Sequence, residues 1–230
     1  KSCYPNDTDR SIRKALSQLE IWSLLVFRKF SNAYAIFAGS DFDIERAVRD
    51  ALTDINEIDF SALSSLANIQ PILAKRHYHE TGTLRWFEVN IASVASLQDT
   101  ASALETKLGV VGQFLLVVPT KGENPAYVED LCRKAVDKHD LSDNVIGVSK
   151  RSESIVILAR ELLAIDRVRD NHPALAGDAV ARREVTLRLS AIQAQLETEI
   201  SKSFDEATWF LKDSSSLTFE HSELNSFASD

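Results

Sequence analysis

Apolar residues recur at spacings of three and four along two long stretches: Ile155, Leu158, Leu162, Ile165 and Val168, then Val185, Leu189, Ile192, Leu196 and Ile200. That period lays a single stripe along a helix, so it predicts helices over 154–168 and 178–204. Between them, Pro173 stops the first and Gly177-Asp178 opens the second, which predicts an antiparallel helical hairpin over 153–206. Two shorter runs, VGQFLLVVP and NVIGVS, are apolar without alternation, as strands buried on both faces are. A helix over 127–139, started near Asn124-Pro125, joins them, so they read as a βαβ unit with parallel strands. A further helix is expected over 97–108.

Upstream of that unit, the stretch 71–92 (PILAKRHYHETGTLRWFEVNIA) crowds bases, an acid, two imidazoles and large aromatics. Two runs rich in aromatic and aliphatic residues flank Thr81-Gly82, and glycine supplies the positive φ of a tight turn, so the stretch predicts a β-hairpin. With Glu80 opposite Thr83, Lys75, His77 and His79 share a face with Leu84, Trp86 and Glu88. The other face carries Ala74, Arg76 and Tyr78 with Arg85, Phe87 and Val89. Both faces mix polar and apolar groups, so Arg76, His77, His79, Arg85 and Trp86 form a candidate contact surface.

At the N-terminal end, Ile12, Ala15, Leu16, Leu19, Trp22 and Leu25 make a helical stripe. VFRKF and AYAIFA follow, separated by Ser31-Asn32, and read as two short strands. Helix then hairpin is the order of the second half of a winged helix-turn-helix. Ile44–Leu52 reads as a helix capped by Asp41 or Asp43, and 53–70 as a loop with one short helix. The expected fold is therefore α/β (α+β): a partial winged-helix unit (1–40), a linker with short helices (41–70), a mixed-sheet α/β module with a hairpin and a βαβ unit (71–152), the helical hairpin (153–206) and a C-terminal strand and helix start (207–230).

Charge changes this picture in one place. The chain of 230 residues carries a net −8, which argues against a protein that coats nucleic acid indiscriminately. Residues 1–40 nevertheless hold six basic and three acidic side chains, +3 against −11 elsewhere. Arg10, Arg13, Lys14, Arg28 and Lys29 are thus the candidate duplex contacts, although +3 is modest for a phosphate-binding face and fits a packing module as well. At 44% hydrophobic and 26% charged, with no apolar run of about 18 residues and no signal peptide, the chain is expected to be soluble, cytoplasmic and away from membranes. Cys3 and Cys132 lie far apart without metal spacing and are expected to be free thiols. Methionine is absent altogether, as expected of a piece of a longer protein.

Candidate chemistry is sparse. His77-x-His79 with Glu88 across the hairpin is the best metal arrangement, since imidazoles two apart on a strand point to one side. Two imidazoles and one carboxylate fall short of a closed site, so no metal and no cofactor is expected. The βα turn Thr120-Lys121-Gly122 stands where an open α/β sheet places ligands, but it has neither GxxxxGK[ST] nor GxGxxG. His139, His172 and His221 form no pattern, and no serine lies in a G-x-S-x-G elbow, so no catalytic residue is assigned.

Four segments, YAIFAGSDFDIERAV (34–48), AKRHYHETGTLRWFEV (74–89), NHPALAGDAVARREV (171–185) and ATWFLKDSSSLTFEHSELNSF (207–227), together resemble the region downstream of the P-loop ATPase core in large bacterial multidomain ATPases associated with phage resistance. The resemblance implies a non-catalytic segment that couples an upstream ATPase core to a nucleic-acid or protein partner, with other domains of the parent protein as neighbours. A winged-helix transcription regulator with an α/β sensor domain, and a small metal-dependent enzyme centred on His77 and His79, are the alternatives.

Overall fold

In the computed structural model the described residues are 9–22, 24–28, 32–36, 40, 42–67, 69–104, 110–138 and 144–212. They fall into two compact units, 1–53 with 164–192 and 54–163 with 193–230.

The second unit is built on a five-stranded sheet. Its strands are β3 (Ile72–Leu73), β4 (Trp86–Ser93), β5 (Val110–Val118), β6 (Asn144–Val148) and β7 (Thr208–Phe210), side by side in that order. β4, β5 and β6 run parallel, and β3 and β7 close the two edges antiparallel. The fold is thus mixed α/β, and the βαβ unit read from the two unbroken apolar runs is present as β5, α6 (Pro125–Lys138) and β6. Pro125 stands at the first helical position, where its missing N–H costs nothing.

Each face of the sheet has its own cover. On one, Leu97 and Ala101 of α5 (Leu97–Ser102) and Val128, Cys132, Ala135 and Val136 of α6 pack on Leu115, Val117, Ile146, Val148 and Phe210. On the other, Phe114 is the hub of an aromatic cluster, with ring centroids 5.2 Å from Phe87, 6.2 Å from Phe204 and 5.2 Å from Trp209. A half-buried amide ladder crosses the parallel strands: Asn90 donates to Gln113 Oε1 at 2.7 Å, and the backbone N–H of Gln113 donates to Asn144 Oδ1 at 2.8 Å. A one-residue slip would break both bonds, so the ladder pins the register. α5 ends at Ser102, and residues 105–108 of the helix expected over 97–108 lie outside the described residues.

The hairpin expected over 71–92 is corrected in its middle. β3 and β4 do pair antiparallel, Ile72 with Phe87 and Leu73 with Trp86, but Lys75–Thr81 between them is a helix, α4. Glu80 and Thr83 are therefore not strand partners. Arg76 and Glu80 form an i,i+4 pair at 3.1 Å, the Thr81 hydroxyl donates to the His77 carbonyl at 2.8 Å, and Gly82 caps the helix at φ 72° by donating its N–H to Tyr78 O. The glycine does adopt a positive φ, but as a helix C-cap. The Ala74 N–H donates to Arg85 O at 3.0 Å and closes the excursion.

The long helices are α7 (Ser152–Asn171) and α8 (Ala179–Glu206), each a little longer than the stripe predicted. In the second unit the start of α7 lies beside the end of α8. Arg151 binds Glu199 and Glu206, both at 2.9 Å, and the buried Ser203 hydroxyl donates to Ser149 Oγ at 2.7 Å. In the first unit the link between the helices forms a short 3-10 turn, Pro173–Leu175, and Arg182 donates to the carbonyls of Leu175 and Ala176.

That first unit also holds α1 (Asp9–Ile21), the antiparallel pair β1 (Leu25–Arg28) and β2 (Ala33–Ile36), and α2 (Ile44–Thr53), capped by Asp43. Arg188 of α8 is buried, its side chain 8% exposed, and pairs with Glu45 of α2 at 2.8 Å. Asp178 caps α8. It accepts from the Ala181 N–H at 2.8 Å and the Ser40 hydroxyl at 2.6 Å, and these bonds to the charged form lower its pKa from the usual 3.8. A lowered carboxylate contributes stability that is present above its unfolded-state value and lost as pH falls through the folded-state value. Asp178→Asn should therefore be the less stable chain at neutral pH, and the gap should close in acid below 3.8. Thermal melts across that range check this, and a gap that stays constant would remove the charge from the explanation.

Candidate functional site

The helix and hairpin of the first unit expose most of what they carry. On α1, Ile12, Leu16 and Leu19 are half-buried, while Ala15 and Trp22, expected in the same core stripe, face solvent. Arg10, Arg13 and Lys14 are exposed and fall on one helical face. Arg28 differs from them: it is half-buried and held by Glu184 of α8, so its charge is already compensated. Lys29 lies outside the described residues, as do Cys3, His139, His221 and the expected C-terminal helix start.

Among its described residues the same segment exposes seven large apolar side chains: Ile21, Trp22, Leu24, Val26, Phe27, Tyr34 and Ile36. Ile36 is 79% exposed, Ile21 72% and Trp22 62%, which single stray hydrophobes on a surface do not explain when they cluster within one helix end and one hairpin. The strand register sorts the hairpin members onto two faces, with exposed apolar side chains on both. Leu25 and Phe27 stand opposite Ile36 and Tyr34, so these four share one face, while Val26 and Arg28 share the other with Ala35 and Ala33. Phe27 and Tyr34 pack ring to ring, with centroids 5.1 Å apart. Short stretches without clean alternation gave no warning of this face in the sequence.

The second candidate surface is rearranged by α4. Arg76 and His79 are exposed and His77 is half-buried on that helix, Arg85 is exposed in the connection, and Trp86 is half-buried on β4. Residues two apart on a helix point about 200° apart, so His77 and His79 do not share the side that a strand would have given them. Trp86 sits opposite Leu73, not His77. The geometry behind the His77–His79 metal centre is thus absent. Among the described residues no group of three or more His, Cys, Asp or Glu is placed to hold a metal.

At the βα turn after β5, Gly122 takes φ 70° and Lys121 is engaged twice: its N–H donates to Glu123 at 2.8 Å and its ammonium pairs with Glu57 at 3.0 Å. Lys121 and Glu57 are both largely exposed, so their pair contributes on the order of 0.5 kcal/mol. The adjoining cavity, between Ser93, Thr120 and Arg160, is only about 160 Å³. The strand order runs monotonically from β3 to β7, so this sheet has no point of order reversal at which a ligand crevice would open.

Cys132 is buried in the core beneath α6, and desolvation first, then Glu129, pushes its thiol up to about 12. A thiol so placed is structural rather than nucleophilic. Among the described residues no helix is long and apolar enough to cross a membrane. The chain matches no family model, no curated protein and no solved structure.

Proposed function

We propose that this chain is a non-catalytic coupling segment of a large bacterial multidomain ATPase of the phage-defence kind, and that α1 with the β1–β2 hairpin grips the partner. The observation that carries the reading is the exposure of Ile21 and Trp22 at the end of α1 and of Phe27, Tyr34 and Ile36 on the β1–β2 pair that follows, together with the exposed Arg10, Arg13 and Lys14 of α1. Tryptophan, tyrosine and phenylalanine are the residues protein interfaces use as anchors, and a basic rim steers an acidic partner surface onto them. Duplex grooves ask for the reverse emphasis, many phosphate contacts and few aliphatic ones. A protein partner therefore fits this face better than a duplex does.

A salt titration of duplex binding by fluorescence anisotropy separates the two partners. The protein-docking reading expects no saturable binding even at low salt. Binding that weakens steeply with salt and drops for every duplex alike in Arg13→Ala with Lys14→Ala would make the basic face a phosphate-contacting surface and favour the winged-helix regulator. The gene supplies an independent check: a GxxxxGK[ST] motif encoded upstream supports the ATPase reading, and its absence removes it.

A further inference from the structure

Beside β3, between the segment 69–73 and the last turns of α8, lies a cleft of about 380 Å³. Small-molecule sites run from about 300 to 1,000 Å³ and combine an apolar lining with a few converging polar groups. This cleft has that make-up. Ile72 and Val89 from the sheet edge and Ile200 and Phe204 from α8 supply the apolar floor. The charges stand on separate walls: Lys75, at the start of α4, on one, and Glu197 and Asp205 of α8 on the other. Glu197 and Asp205 are eight residues apart, with Ser201 midway, so they line one helical face two turns apart.

One base and two acids carried by different elements around a shared apolar floor suit a molecule with a carboxylate, an ammonium and an apolar body. We propose that this cleft binds a free apolar α-amino acid, with its carboxylate on Lys75, its ammonium on Glu197 and its side chain against Ile72, Ile200 and Phe204. The inference stands apart from the docking face, since every residue it uses belongs to the second unit. It gives the α/β module a ligand of its own.

The test is an NMR titration of the whole chain with L-phenylalanine, phenylalaninamide and N-acetylphenylalanine. Phenylalanine should give saturable shifts confined to 69–75, 89 and 197–205. Each derivative should bind about tenfold more weakly, the scale of one charge-assisted bond at a partly solvated site. Lys75→Gln should erase the difference between phenylalanine and its amide, and Glu197→Gln the difference between phenylalanine and its N-acetyl form. Lys75 and Glu197 are exposed, so both variants should keep the wild-type fold, which circular dichroism verifies. Absence of saturable shifts at millimolar phenylalanine, or equal affinity for all three compounds in the wild-type chain, overturns the proposal.

Discussion

Gly147→Ala is expected to lower the unfolding free energy by about 3 kcal/mol, the upper end of what overpacking a core costs. A Cβ at this position would lie 2.3 Å from Cε3 of Trp209 and within 2.6 Å of two further ring atoms. Neither neighbour can yield easily. Gly147 is in β6, a strand paired on both sides, and Trp209 is fully buried in β7 with its indole N–H donating to the Phe204 carbonyl at 3.1 Å. Trp209 also meets Phe114 edge to face, so moving the ring disturbs the aromatic hub beneath the sheet. Urea unfolding measures the loss. Because the clash is with one ring, the alanine should cost far less in a Trp209→Leu background, and a double-mutant cycle gives the coupling directly. Additive effects would mean that β7 does not lie where this account puts it.

Glu45→Ala should cost about 1.5 kcal/mol, because it removes a charge-assisted bond from a guanidinium that is 8% exposed, made by a carboxylate that is itself 41% exposed. Arg188→Met in the same background should restore at least half of that, since an apolar side chain of similar length does not need the partner. Lys121→Ala is the contrast, because its pair with Glu57 is exposed at both ends; it should shift stability by less than about 0.5 kcal/mol. If both single substitutions prove equally mild, the Arg188 environment is wetter than its 8% exposure implies.

What could be read from the chain before its structure depended on how much of the signal was local. The parallel strands β5 and β6 announced themselves because burial on both faces forces an unbroken apolar run, and α7 and α8 because a long stripe at the helical period has no other reading. The stretch around α4 misled for an equally physical reason. A glycine at positive φ serves a tight hairpin turn and a helix C-cap alike, and only the i,i+4 pairing of Arg76 with Glu80, set against two short aromatic-rich runs, pointed to the helix. β3 is two residues long, too short to leave a pattern.

The sites were less legible than the elements. Arg10, Arg13 and Lys14 are exposed as a contact face requires, but Arg28 serves an ion pair with Glu184 that no sequence spacing foretells. Glu184 is half-buried near the start of α8 and taken up by that pair, while the exposed Arg182 one half-turn earlier donates to the carbonyls of the preceding link. The apolar face at residues 21–36 became visible only through exposure, because each of its members is also a respectable core residue.

The measurement that bears most directly on the proposed coupling role is the partner dependence of ATP turnover in the parent ATPase that the proposal calls for, with Trp22→Lys and Ile36→Lys introduced together. Both side chains are mostly exposed, so the substitutions should leave the melting temperature close to its starting value. The account predicts that the ratio of turnover with and without the partner falls to about one, since a buried lysine pair at an aromatic-anchored interface is not tolerated. A ratio that survives both lysines unchanged would contradict it and take the docking role away from α1 and the β1–β2 hairpin.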